Sequence, residues 1–255
     1  MIDPKKGFTT IKPISGVPAA CIDELDSTVI ADVHIGYEEE LAKGGIFLPR
    51  SQLDSLLSKI DELYNLSKTR RLIVNGDVKH SFARPNKRVS REISIFFNAL
   101  ASYYSDVIVV KGNHDTYIAN IAKKHNIDVV DYFSEKNILI IHGHKDPGKD
   151  FLQTYEYIII GHEHPSIGIR DEIGHLHKFT AILYAPTIIN NIIIVLPPFS
   201  SLSSGTIISI KSRPSLLSPI LKNYGILEET IPLIIDKELG LIELPKLQLL
   251  ENISL

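Results

Sequence analysis

The 255 residues include one cysteine, one methionine and no tryptophan. With Cys21 alone there is no internal disulfide and no cysteine-built zinc module, and a single thiol fits a reducing, cytoplasmic compartment. A large excess of charge is missing as well: 27 Lys and Arg stand against 30 Asp and Glu, a formal net charge of -3, which argues against a protein that grips nucleic acid by bulk charge. Nothing addresses the chain to a membrane. The opening MIDPKKGFTTIKPISG lacks the apolar core of a signal peptide. Phe179 to Ile210 carries no charge over 32 residues, but Pro186, Asn190, Asn191, Pro197, Pro198 and Gly205 cut it into pieces far short of the ~20 residues of a spanning helix. It reads as buried strands joined by turns, and it fits a core or a dimer interface equally, so the oligomeric state stays open. There is no internal repeat and no low-complexity tract.

What the chain has in quantity is histidine, ten residues of it. Its length allows one large domain or two small ones at roughly 150 residues each, and a core that needs no staples. Short runs rich in Val and Ile alternate with amphipathic stretches, the pattern of an α/β layered domain. Strands are expected at 27–33, 71–75, 106–110, 137–141 and 157–160. Helices are expected at 37–43, 50–66, 87–103 and 116–125, from apolar residues at three- and four-residue intervals, with Pro49 and Asp115 as start signals. From Ser166 the texture changes to the strand-like pieces IGI, KFTAILYA, IIIVL and TIISI, which predicts a second sheet beginning there. KSRPSLLSP after Ile210 reads as a connector, and the tail from Ile220 offers short apolar pieces without recognisable chemistry.

The five expected strands end alike. Their carboxyl ends run into Asp32-Val33-His34, Gly76-Asp77, Gly112-Asn113-His114-Asp115, His142-Gly143-His144 and Gly161-His162-Glu163-His164. In open α/β sheets that edge is where ligands bind. An isolated Asp-x-His or Gly-Asp is ordinary turn chemistry, and His175-Leu176-His177 reads as surface polarity; five ligand types at five successive strand ends are a different matter. Carboxylate, amide and imidazole donors without thiolate suit Mn, Fe, Zn or Ni better than calcium or a structural zinc. In an extended Asp-x-His both side chains fall on one face, so one ion can take both. Glu163 should point away from the histidines that flank it.

ADVH, NGD, GNHD, HGH and GHEH in this order resemble the signature blocks of the calcineurin-like metallophosphoesterase superfamily. The longer matches ADVHIGYEEEL, NGDVKHSF, KGNHD and GHEHP, with LPPF and LSP further on, resemble the archaeal phosphoesterases related to SbcD-type nucleases. The resemblance implies a two-sheet α/β sandwich with flanking helices, a metallophosphoesterase unit over residues 1–215, and an extension, 216–255, packed on it. It implies two divalent ions, Mn2+ foremost. Asp32, His34, Asp77 and His164 would hold the first ion, and Asp77, Asn113, His142 and His162 the second, with a hydroxide between the ions.

Two cations about 3.5–4 Å apart offset the repulsion between hydroxide and phosphate ester and lower the pKa of water. The resemblance makes His114 the acid that protonates the leaving alkoxide. Asp115 either orients His114 or caps a helix. His80 contacts phosphate or supports His114, and His144 belongs outside the ligand set. The substrate is a phosphate ester, with phosphodiester hydrolysis the leading expectation; a DNA or RNA nuclease, a phosphomonoesterase and a non-catalytic scaffold are the alternatives. Val-Lys-His-Ser (78–81) stands where protein phosphatases carry Val-Asp-Arg-Gly, which disfavours phosphoproteins. Lys79, Arg84, Lys87, Arg88 and Arg91 form a basic cluster after the second block, of which Arg84, Lys87 and Arg88 are candidates for binding a nucleic-acid strand. Among nearby aromatics only Phe82 lies outside the expected core.

Overall fold

A computed structural model describes residues 3–203 and 205–252. Among them fifteen strands form two sheets. The first follows chain order: β1 (Lys12–Pro13), β2 (Ala19–Ile22), β3 (Ser27–Ala31), β4 (Arg71–Asn75), β5 (Asp106–Val110) and β6 (Asp128–Val130). The pairs β3–β4, β4–β5 and β5–β6 are parallel, while β1–β2 and β2–β3 are antiparallel. The second sheet contains β7 (Phe133–Glu135), β8 (Ile138–Ile140), β9 (Tyr157–Ile160), β10 (Pro165–Arg170), β11 (Leu176–Pro186), β12 (Ile192–Val195) and β13 (Thr206–Ile207), in the order β13-β10-β11-β12-β9-β8-β7. From the C-terminal residues, β14 (Ile231–Asp236) pairs with β11, and β15 (Gly240–Glu243) with β14.

Alternating side chains sort these strands between layers. Leu72 and Val74 of β4 point outward to the helices Gln52–Ser67 and Lys87–Tyr103, which answer with Leu56, Ile60 and Leu63 and with Ile93, Phe96, Phe97 and Leu100. Ile73 points inward, to the seam between the sheets, where it joins Ile140, Ile159, Tyr184 and Ile194. On the far face Ile158, Ile160, Leu183 and Val195 pack against Ile220, Leu221 and Leu227. The result is a sandwich of two sheets with helices outside, each fully buried Ile or Leu contributing roughly 1.5–3 kcal/mol. The uncharged 179–210 stretch supplies core: Ala181 to Ala185, Ile192 to Leu196 and Phe199 are fully buried within the single chain.

Several expectations need correcting. The second sheet begins near residue 133 and not at Ser166, because β8 and β9 belong to it. The five ligand-bearing strands are therefore divided, three in one layer and two in the other. The strand expected over 27–33 stops at Ala31, and that over 137–141 covers only Ile138–Ile140. The helix expected from residue 50 starts at Gln52, where the Glu38 carboxylate accepts from the amides of Ser51 and Gln52. The expected 116–125 helix is a short one, Ile118–Ala122, followed by a tighter turn, Lys123–His125. Tyr117 occupies its N-cap position, so Asp115 is not its cap. No helix among the described residues is long and apolar enough to cross a membrane.

Candidate metal centre

The site lies at the carboxyl ends of β3, β4, β5, β8 and β9, where the two sheets meet. Two carboxylate-bearing donor groups converge there, Asp32 with His34 and His164, and Asp77 with His142 and His162; a third group, His34 with His80 and His114, adjoins them, and within each the ligand atoms lie within 4.8 Å of one another. The Nε2 atoms of His34 and His164 approach to 3.3 Å, and Asp32 Oδ1 is 3.4 Å from His164 Nε2. His142 Nε2 lies 3.4 Å from Asp77 Oδ2 and 3.2 Å from Asn113 Oδ1. All seven expected ligands are thus brought together.

Side chains of this kind turned toward one another need something between them. Asp32 Oδ1 is fully buried and has no hydrogen-bond donor, an arrangement that costs free energy unless a cation takes the oxygen. His142 Nδ1 donates to the Asn75 carbonyl at 3.0 Å, which turns Nε2 toward the site. Burial pushes His34 down to about 3 and His162 down to about 4, so both imidazoles are neutral donors at neutral pH. Burial works against the charged carboxylates of Asp32 and Asp77, but the surrounding imidazoles outweigh it and hold both below the ordinary range. Burial also works against a charge on His142 and His164, but the neighbouring carboxylates outweigh it and push His142 up to about 9 and His164 up as well, so an ion would displace a proton from each. Converging oxygen and imidazole donors of this kind fit divalent transition-metal ions.

The backbone is bent hard to deliver these groups. Asp32, His34, Asp77, His162 and His164 all adopt left-handed conformations, with φ between 50° and 65°, a region that L-residues occupy at a cost of order 1–3 kcal/mol each. Asp32 and His34 therefore reach one group through a twisted loop, and not along a pleated strand as expected. Close approach requires glycine at two points. A Cβ on Gly76 would stand 2.1 Å from His142 Nδ1, and one on Gly112 2.1 Å from Asp77 Oδ1. Buried Gln52 steadies the first loop, accepting from Gly36 N and donating to the His34 carbonyl, while Phe199 N donates to the Ala31 carbonyl.

His114 stands beside the second group, its Nε2 3.7 Å from Asp77 Oδ2 and its Nδ1 held by the carbonyl of His80. The His80 ring lies between His114, with centroids 5.7 Å apart, and His34, whose Nδ1 is 3.4 Å from its own Nδ1. Asp115 does not touch the His114 ring: its buried carboxylate accepts from the amides of Val78, Lys79 and Gly112, tying the second ligand loop to the third. Phe82, 61% exposed, stacks on His114 with centroids 3.8 Å apart.

The basic cluster is less uniform than its sequence. Lys79 is buried, its ammonium bound to the carbonyls of Ser81 and Ala83, so it is not part of a charged face. Arg88 pairs with Glu92 at 2.8 Å, and Arg84 borders a hollow that Glu39 and Glu40 share. His144 lines the neighbouring cavity, and His175 and His177 are exposed.

Three supports had no signal in the sequence. Asn75 bonds the carbonyls of Ile141 and Ile159. Glu163 points away from His162 and His164, as expected, and its buried carboxylate accepts from the amides of Leu217 and Ser218. Ser218 Oγ in turn donates to the carbonyl of Gly143, next to His142. KSRPSLLSP is therefore more than a connector: its end braces both ligand loops of the second sheet.

A family model for calcineurin-like phosphoesterases matches residues 27–183, well over half of the chain. The chain belongs to the calcineurin-like phosphoesterase family. No curated protein matches it. Among solved structures it is similar to the nuclease MPE of Pseudomonas putida, at 18% identity over 89% of this chain and 92% of that one, with a TM-score of 0.61. It is also similar to the phosphoesterase Yfce of E. coli, at 14% identity over 86% and 98% of the two chains, with a TM-score of 0.43. At such identities the first likeness bears on the fold, a metallophosphoesterase-type α/β sandwich. Membership of the calcineurin-like phosphoesterases points to a hydrolase acting on phosphoester bonds.

Proposed function

We propose that this chain is a dinuclear metal-dependent phosphodiesterase, with Mn2+ its preferred ion and Fe, Zn or Ni as substitutes. Asp32, His34 and His164 would hold one ion and Asn113, His142 and His162 the other, with Asp77 available to both. The observation that carries this reading is the convergence of two donor groups of aspartate and histidine at one edge of the sheets, with the buried Asp32 Oδ1 left without a hydrogen bond. Bound there, the ions would supply a nucleophilic water at neutral pH and neutralise the phosphoryl oxygens.

His114 is the general acid. Nδ1 donates to the His80 carbonyl, so the proton given to the leaving alkoxide comes from Nε2. His80 acts through this carbonyl as a positioning residue, and Asp115 positions the loop that carries His114. Arg84, Lys87 and Arg88 lie on the His80 side and steer anionic substrates weakly, Arg88 being already paired.

The test is hydrolysis of bis-p-nitrophenyl phosphate by the purified chain. Activity stimulated by Mn2+, abolished by chelator and lost in Asp77→Ala is the expected result. Activity indifferent to chelator, or intact in Asp77→Ala, overturns it. A nuclease is the second reading, favoured by the exposed Phe82 ring lying on His114, where a base of the departing strand would stack.

A further inference from the structure

Beside the second donor group lies a cavity of about 660 Å3, lined by Lys111, Asn113, Thr116, Tyr132, His144 and Lys145 among others. We propose that this cavity is a nucleotide subsite, and that the substrate is a single-stranded nucleic acid whose retained side of the scissile phosphate enters it; this rests on the phosphodiesterase reading.

Position comes first. Asn113 lines the cavity and contacts His142 at 3.2 Å, so a group filling the space adjoins the phosphate under attack. His114 and Phe82 do not line it, so it takes the part of the substrate that does not depart. Size comes second: the volume falls in the range of about 300–1,000 Å3 that holds a small organic ligand, far beyond what one phosphate fills.

The lining chemistry then selects the ligand. Lys111 and Lys145 are exposed at the rim and neither enters an ion pair among the described residues. Asp131 and Asp146 also line the space, but Asp146 is already committed to Gly148 N, Asn223 Nδ2 and Tyr224 OH. Two ammonium groups suit the next phosphate along a strand. Tyr132, 45% exposed and braced by Phe151 at 5.3 Å between centroids, offers an aromatic ring for a base. A paired, stacked base in a duplex is not free to use it. The rival hollow beside Arg84 holds only about 60 Å3 and is shared with two glutamates, Glu39 and Glu40.

Three variants decide the matter, each checked for folding by circular dichroism: Lys111→Ala with Lys145→Ala, Tyr132→Ala, and Arg84→Ala with Arg88→Ala. In the Mn2+-loaded full chain, kcat/KM is measured on a single-stranded oligonucleotide, its duplex and bis-p-nitrophenyl phosphate. We expect the lysine pair and Tyr132→Ala to lower the oligonucleotide-to-small-diester ratio about tenfold or more, mainly through KM, and the arginine pair, whose steering is weak, to lower it by less than either. A ratio unmoved by the lysine pair, or a preference for duplex, overturns the subsite. If neither substrate is cut, the phosphodiesterase reading has failed. Fluorescence anisotropy of the oligonucleotide on Asp77→Asn then judges the subsite separately: affinity weakened about tenfold by adding the lysine changes supports it, and unchanged affinity refutes it.

Discussion

The buried carboxylate of Glu163 accepts a hydrogen bond from the amide of Ser218 at 2.7 Å, and a second from Leu217 at 3.1 Å. It sits between His162 and His164, so a contact 55 residues away in the chain fixes the angle at which two metal donors enter the site.

Replacing Glu163 by Ala strands two amide donors, at a cost of roughly 1–3 kcal/mol each. Stability to urea should fall by about 2–5 kcal/mol, and Mn2+ affinity, measured by calorimetry, by about 10- to 100-fold. Glu163→Gln keeps an acceptor and should recover part of both. An Ala variant with unaltered Mn2+ affinity would separate the brace from the metal centre.

Glycine 76 and glycine 112 give sharper tests. A methyl group at either position collides with His142 Nδ1 or Asp77 Oδ1 at 2.1 Å. Gly112→Ala should fold with its core intact yet bind Mn2+ at least tenfold more weakly, read by calorimetry. A Cβ at 112 would also meet the Asp77 backbone nitrogen at 2.4 Å, so wild-type affinity in that variant would mean that the two loops move apart without disturbing the site.

Removing metal should loosen the whole molecule. Each carboxylate-bearing donor group takes residues from both sheets: Asp32 and His34 with His164, and Asp77 with His142 and His162. Ligand at about 100 times its dissociation constant adds roughly 2.7 kcal/mol, which for a chain of this size is a rise in Tm of about 5–11 °C. Calorimetric scans with Mn2+ and with chelator check it, and superimposable scans would rule out tight binding.

The acid should matter in proportion to the leaving group. p-Nitrophenolate departs without a proton, whereas an alkoxide does not. His114→Ala should therefore cost roughly 10²–10⁴ in kcat on a dialkyl phosphate ester and much less on bis-p-nitrophenyl phosphate. Equal losses on both would move His114 from proton donor to phosphate contact.

How much of this was legible in the chain follows from where each signal resides. The seven donors were legible because each stands directly after a Val- and Ile-rich run, and a strand end is a local pattern. The division of those runs between two sheets was not, since Leu72-Ile73-Val74 of one layer and Ile158-Ile159-Ile160 of the other are buried on both faces and read alike. Lys79 looked like part of a basic surface because nothing nearby in sequence reveals that two loop carbonyls enclose its ammonium. Asp115 and Glu163 act on amides 36 to 55 residues away. Such partners become visible only once the layers are stacked.

The left-handed backbone at Asp32, His34, Asp77, His162 and His164 bears on how such a site decays. On the proposed reading each of these positions answers to two demands, a metal donor in the side chain and a positive φ in the main chain, and glycine satisfies the second better than any donor does. A descendant relieved of catalysis would gain stability by exchanging them for glycine or asparagine long before its core changed. Glycine at these five places in another chain of the family thus marks an abandoned metal centre, whatever the rest of the fold retains.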